Sequence, residues 1–150
     1  MVDTPSYHSH GLVNLMAEIE SRLIGASPSP VLDPGISALV PEARTYALVL
    51  FDGLGVAQLD HEAAGPLRAS HRATLHAPFP TTTSVSLATV ATGLPPSRHG
   101  LVAHLIWLEE VGRVVNTLKW VDLSGRPVAH DYASFLPGPN LWERLRRGGI

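Results

Sequence analysis

The stretch YALVLFDG, residues 46–53, decides the fold. Tyr46 to Phe51 is an unbroken apolar run, closed by Asp52-Gly53. A strand with one wet face alternates apolar and polar residues. A run that is apolar at every position has two dry faces, the mark of a buried strand in a parallel sheet. The run therefore predicts a central parallel strand with Asp52 just past its carboxyl end. In open α/β sheets that edge lines the ligand crevice. A carboxylate there suits a divalent metal, and Gly53 allows backbone or ligand to come close. Asp-Gly is equally an ordinary turn after a strand, and from the dipeptide alone the turn is the better reading.

Downstream, Val56 to Glu62 reads as a short helix or helical turn and Arg72 to Phe79 as the next strand. Pro80 then leads into the threonine-rich turn Thr81 to Ser84. From Ser84 to Thr92 the apolar spacing Leu87, Val90, Ala91, Leu94 is helical, and Gly93 with Pro95-Pro96 stops it. A hydroxyl at a helix start meets free backbone N–H groups and the positive end of the dipole, which together suit a phosphate. A metal held by Asp52 would lower the pKa of such a hydroxyl. The plainer alternative is that Thr83 is an N-cap, as serine and threonine often are, and on spacing alone the cap wins.

Further on, His104 to Glu109 and Arg113 to Leu118 predict a hairpin around Val111-Gly112. Asn140 to Arg147 predicts a helix capped by Asn140 and Gly148, with Leu141, Trp142 and Leu145 buried. Its Arg144, Arg146 and Arg147 favour the dipole and need no ligand. Upstream, Gly11 to Ile24 predicts an amphipathic helix with Leu12, Leu15, Met16, Ile19 and Leu23 inward, lying outside the main sheet. A proline-punctuated connector, Ser27 to Gly35, follows it. The order β, α, β, α and a last helix feeding nothing further predict an α/β fold with an unfinished sheet.

The chain has 150 residues, enough for one ordinary domain, and is 45% hydrophobic and 16% charged. That excludes a solvated, disordered chain. A net charge of −2 gives no basic surplus for nucleic acid or anionic lipid. With no cysteine there are no disulfides or thiolate metal sites, which leaves imidazole and carboxylate as the strong metal ligands. The N-terminus lacks a secretory pattern and no apolar run reaches the roughly 18 residues of a membrane span. A cytoplasmic protein is expected.

Two motifs taken together, Leu48 to Gly55 and Phe79 to Val102, resemble the nucleotide pyrophosphatase/phosphodiesterase branch of the alkaline phosphatase superfamily. That branch has an Asp-Gly after its first core strand and a threonine-bearing turn. It continues with a helix ending in Thr-Gly-Leu, a proline step and a His-Gly pair. Here these are Asp52-Gly53, Thr83, Thr92-Gly93-Leu94, Pro95-Pro96 and His99-Gly100. Asn116 to Trp120 (NTLKW) also looks like bacterial members, and the resemblance extends over about residues 46–150.

The resemblance implies an alkaline-phosphatase-like, mostly parallel sheet with flanking helices. It implies hydrolysis of phosphodiester or pyrophosphate bonds in small, nucleotide-type substrates, with two divalent metal ions, zinc in most members. Asp52 would be a metal ligand, and Thr83 both nucleophile and metal ligand; Thr82 and Ser84 are one register step away. His99 would be structural, holding the loop after Pro95-Pro96.

The chain departs from the pattern in two places. Ser84-Val85-Ser86 stand where better-known members have Phe-Pro-Asn, and His104 stands where they often have a phosphate-holding Asn, with Asn116 as a possible substitute. The family's further ligands, an Asp-x-x-x-His stretch, an Asp-His pair and a late His, are not matched by Asp122, His130 or Asp131. The expectation is an N-terminal helix and connector over residues 1–35, then residues 36–150 as the N-terminal portion of a metal-dependent hydrolase domain, truncated at its C-terminus. Alone it is expected to be inactive and to self-associate. The alternative is a non-catalytic binding or assembly module on the same scaffold.

Overall fold

A computed structural model describes residues 4–150 of the chain, with every side chain among them but those of Tyr132 and Ala133. Residues 1–3 of the expected N-terminal segment lie outside the described residues.

Helix α1 runs Leu12–Ile24. Asn14 Oδ1 accepts the Gly11 N–H at 2.9 Å in its first turn, and Gly25 closes it in the left-handed conformation. Its buried residues Val13, Met16, Ala17 and Glu20 follow an i, i+3, i+4, i+7 stripe. That differs from the expected stripe: Leu12, Leu15 and Ile19 are only half-buried. As expected, α1 packs on helices and not on the sheet. It packs on α4 (Thr83–Thr92) and α7 (Leu141–Arg147), where Met16 meets Leu141 and Leu145. Glu20 belongs to the buried stripe because Arg144 of α7 meets it in a bidentate pair, Nε–Oε1 2.5 Å and Nη2–Oε2 2.9 Å. Arg144 Nη2 also donates to the Thr92 carbonyl at 2.8 Å. One guanidinium thus joins three helices, and Arg144 does far more than face a dipole.

The connector carries the single turn α2 (Pro34–Ser37), capped by Asp33. Two 3-10 turns, Val56–Asp60 and Glu62–Ala64, and α3 (Gly65–Ser70) follow the Asp-Gly step. After α4 come the turn α5 (Pro96–His99), strands β1 (Leu105–Leu108), β2 (Arg113–Asn116) and β3 (Val121–Asp122), and α6 (Tyr132–Phe135). The hairpin forms as the sequence predicts, with Leu108 opposite Arg113 and Leu105 opposite Asn116. Asn140 caps α7 reciprocally with Glu143. Trp142, expected to be buried, is instead 55% exposed. Leu108, Val115 and Val128 form a second cluster under the hairpin, and Val85, Ala88 and Leu101 a third. Phe135 packs against both of these.

The fold is mixed helix and strand, and its sheet is antiparallel, in the order β1-β2-β3. Among the described residues the run from Tyr46 to Phe51 pairs with no strand, and Val49 and Phe51 are 71% and 60% exposed. A two-sided apolar run becomes a central strand only when strands flank it and layers cover both faces. The segment expected beside it, residues 72–79, is not a strand either. Its backbone bonds to the N-terminal segment through an isolated parallel bridge between Gly11 and His76. Among the described residues, no helix is long and apolar enough to cross a membrane.

Candidate active site

Gly53 turns the chain sharply after Asp52, with a φ of 71° that a residue with a side chain adopts only under strain. A Cβ there would meet nothing within 4 Å, so this glycine serves the turn and not a close approach. The turn leaves the Asp52 carboxylate exposed at the end of the apolar run.

Helix α4 begins 31 residues later. Its N-cap is Thr82, whose hydroxyl makes no capping bond. Thr83 is the first helical residue, so the cap reading for it does not hold. Its Oγ1 donates to Asp52 Oδ2 at 2.8 Å. The structure therefore brings together the two residues singled out as candidate nucleophile and metal ligand. In an α-helix the first N–H groups have no intrahelical acceptor. Ser86 N–H donates to the Thr82 carbonyl, so those of Thr83, Ser84 and Val85 are the unclaimed ones of this helix. Among the described residues, the buried hydroxyls Thr82 Oγ1 and Ser84 Oγ have no hydrogen-bond partner. A helix start that combines open N–H donors with spare hydroxyls is suited to an anion.

The helix buries an unexpected face. Ser84, Val85, Ala88, Thr89 and Thr92 are inside, while Leu87 is exposed. The buried hydroxyls are largely used: Thr92 Oγ1 donates to the Ala88 carbonyl at 2.7 Å, and Thr89 Oγ1 meets His99 Nε2 at 3.2 Å. His99 Nδ1 accepts the Leu101 N–H at 3.2 Å, so a neutral ring carries its proton on Nε2 and donates to Thr89. Burial lowers the His99 pKa to about 4. This histidine ties α4 to the loop after α5, in the structural role expected of it. His104 and Asn116 are partners of each other, Nε2 to Nδ2 at 3.0 Å, and Asn116 Oδ1 accepts the N–H groups of Leu118 and Lys119. The Asn116 amide is thereby committed to the hairpin.

Asp52 and Thr83 offer two hard oxygens within 2.8 Å of each other, a donor pair of the kind that a divalent cation takes. Two oxygens are part of a coordination shell, since a zinc site takes about four ligands. Among the described residues no group of three or more His, Cys, Asp or Glu side chains is placed to hold a metal ion. The pair fits a metal as part of a site and does not make a whole one. Sequence reasoning missed Glu20 and Arg144, which fix the far end of α4. Their sequence separation of 124 residues hides the pairing.

A family model described as type I phosphodiesterase / nucleotide pyrophosphatase matches residues 46–149. No curated protein and no solved structure matches the chain significantly.

Proposed function

The chain belongs to the type I phosphodiesterase / nucleotide pyrophosphatase family, and we propose that it carries the nucleophile-bearing half of a two-metal hydrolase of phosphodiester or pyrophosphate bonds. The observation that supports this most is the 2.8 Å bond from the Thr83 hydroxyl to the Asp52 carboxylate. A capping threonine turns its oxygen to the helix backbone; Thr83 turns it to an acid. The fold that the family implies is a mostly parallel sheet, with the run from Tyr46 to Phe51 as a central strand. Polypeptide beyond these 150 residues would supply the neighbouring strands and the remaining metal ligands.

In this reading, Asp52 aims Thr83 Oγ1 at a phosphorus held at the start of α4. The N–H groups of Thr83, Ser84 and Val85 bind the non-bridging oxygens, whose charge grows in the transition state. A divalent cation on Asp52 and Thr83, zinc in the reading made from the family, would favour loss of the hydroxyl proton and neutralise that charge. Thr83 forms an O–P bond as the leaving oxygen departs. Water then cleaves the threonyl ester and restores the hydroxyl. Small nucleotide-type diesters are the substrate class.

The test is a substitution series assayed with bis-p-nitrophenyl phosphate, in the protein expressed with the polypeptide that completes the metal site. Thr83→Ala is expected to lower kcat by a factor on the order of 10³ or more, since it removes the nucleophile. It should cost little stability, because this hydroxyl bonds to an exposed carboxylate and not to the helix backbone. Thr83→Ser keeps part of the rate, and Thr82→Ala has a mild effect. Lost turnover in Thr82→Ala with activity retained in Thr83→Ala would move the nucleophile by one residue. No effect from either would favour the scaffold as a binding module.

A further inference from the structure

The segment that precedes Thr83 is held by a part of the chain that the family match does not include. Residues 6–12 lie along residues 76–79, upstream of the matched residues 46–149. His76 N–H donates to the His10 carbonyl at 2.8 Å, and Leu12 N–H donates to the His76 carbonyl at 3.0 Å. Ser6 N–H donates to His76 Nδ1 at 3.1 Å. Phe79 N–H, four residues before Thr83, donates to the Tyr7 hydroxyl at 2.9 Å.

The segment is itself anchored. Asn14, fully buried in α1, donates from Nδ2 to the carbonyls of Tyr7 at 2.9 Å and Pro30 at 2.8 Å. His10 Nε2 pairs with Asp33 Oδ2 at 2.6 Å. His10 and His76 sit where two segments join. The crossing is tight: a Cβ on Gly11 would lie 2.8 Å from the Ser6 carbonyl oxygen, so only glycine fits there.

We propose that residues 6–12 are a strap that positions the segment leading into Thr83 at the start of α4, with Tyr7 and His76 as its positioning residues. The physical reason is the geometry that the reaction demands. A nucleophile displaced by about 1 Å can lose on the order of 100-fold in rate. Thr83 opens α4, and the residues that lead into it, 77–82, form no helix or strand of their own; the Thr82 N–H bond to the Pro80 carbonyl is their local tie. The strap supplies a fixed point at Phe79 and another at His76, both referred to α1. The N-terminal segment thereby becomes part of the site's support. The functional importance of the strap rests on Thr83 carrying the chemistry, as proposed above; its existence as a positioning device does not.

The test compares Tyr7→Phe with the parent chain by amide hydrogen exchange and by scalar couplings that report the Thr83 side-chain rotamer. The variant keeps the ring and removes only the acceptor. Exchange at Phe79 is expected to rise roughly five- to tenfold, as for loss of one hydrogen bond. The Thr83 couplings should shift toward rotamer averaging, while the amides of α1 and α7 keep their rates. His76→Phe, which removes the acceptor for Ser6 N–H, should give the same pattern more weakly and serves if Tyr7→Phe does not fold. Unchanged signals at Phe79 and Thr83 overturn the proposal. So does a uniform rise over all helices, which would make Tyr7 a general stabiliser. Neither readout uses turnover, so a failed strap and a non-catalytic Thr83 give separate results.

Discussion

Thr83 shows how one side chain's direction separates two readings that spacing leaves open. A threonine at a helix start is most simply a cap, and here Thr82 holds the cap position without using its hydroxyl. Thr83 sits one residue inside and bonds to Asp52. His99 is the second informative residue, because burial drops its pKa from 6.5 to about 4. Above pH 6.5 both folded and unfolded chains leave the imidazole neutral, and it adds no pH dependence. Below 6.5 the unfolded chain takes up a proton that the folded ring refuses, so stability falls as pH drops toward 4. His99→Gln should flatten that slope relative to the parent. Thermal melts between pH 7 and pH 4 check it, and parallel slopes would mean that His99 is not the group concerned.

At the scale of elements, α1, α4 and α7 are joined by a charge pair that neither partner's local sequence reveals. Glu20 looks like a solvent residue of an amphipathic helix and Arg144 like a dipole complement; their pairing needs the tertiary fold. Arg144→Ala leaves a buried carboxylate without its partner, at an expected cost of about 3–5 kcal/mol. Removing both charges with Glu20→Met and Arg144→Met should recover most of that loss. Urea denaturation measures both, and a single-variant cost below about 1 kcal/mol would show the pair to be dispensable. Much at this scale was legible beforehand. The Gly93 stop, the Asn140 cap and the hairpin around Val111-Gly112 all rest on local chemistry, and all formed. The helix faces were less legible. On α1 and α4 the buried stripes contain Glu20, Thr89 and Thr92, polar residues that are inside only because Arg144, His99 and the Ala88 carbonyl partner them. The Asp52–Thr83 juxtaposition followed from the family motifs, whereas the strap at Tyr7 left no periodic signal to find.

For the whole molecule, the run from Tyr46 to Phe51 is the largest departure between composition and structure. It is apolar and largely uncovered, and among the described residues it pairs with no strand. Such an edge is a template for pairing with another chain. The 150-residue chain is therefore expected to associate at high micromolar concentration, by sedimentation velocity. Val49→Lys with Phe51→Lys should reduce that association with little change in melting temperature, since both side chains are exposed. A monodisperse parent chain would remove the basis for this expectation. The same run ends at Asp52, so whatever covers it also closes the site in which Thr83 is proposed to act. The central claim is that Thr83 Oγ1 is the attacking atom, and the direct measurement is to trap its ester. The protein with its metal site completed is mixed with bis-p-nitrophenyl phosphate, quenched within a turnover, digested and mapped by mass spectrometry. The account predicts a p-nitrophenyl phosphoryl group on Thr83 and none on Thr82 or Ser84; an active protein that carries the adduct on another residue contradicts it.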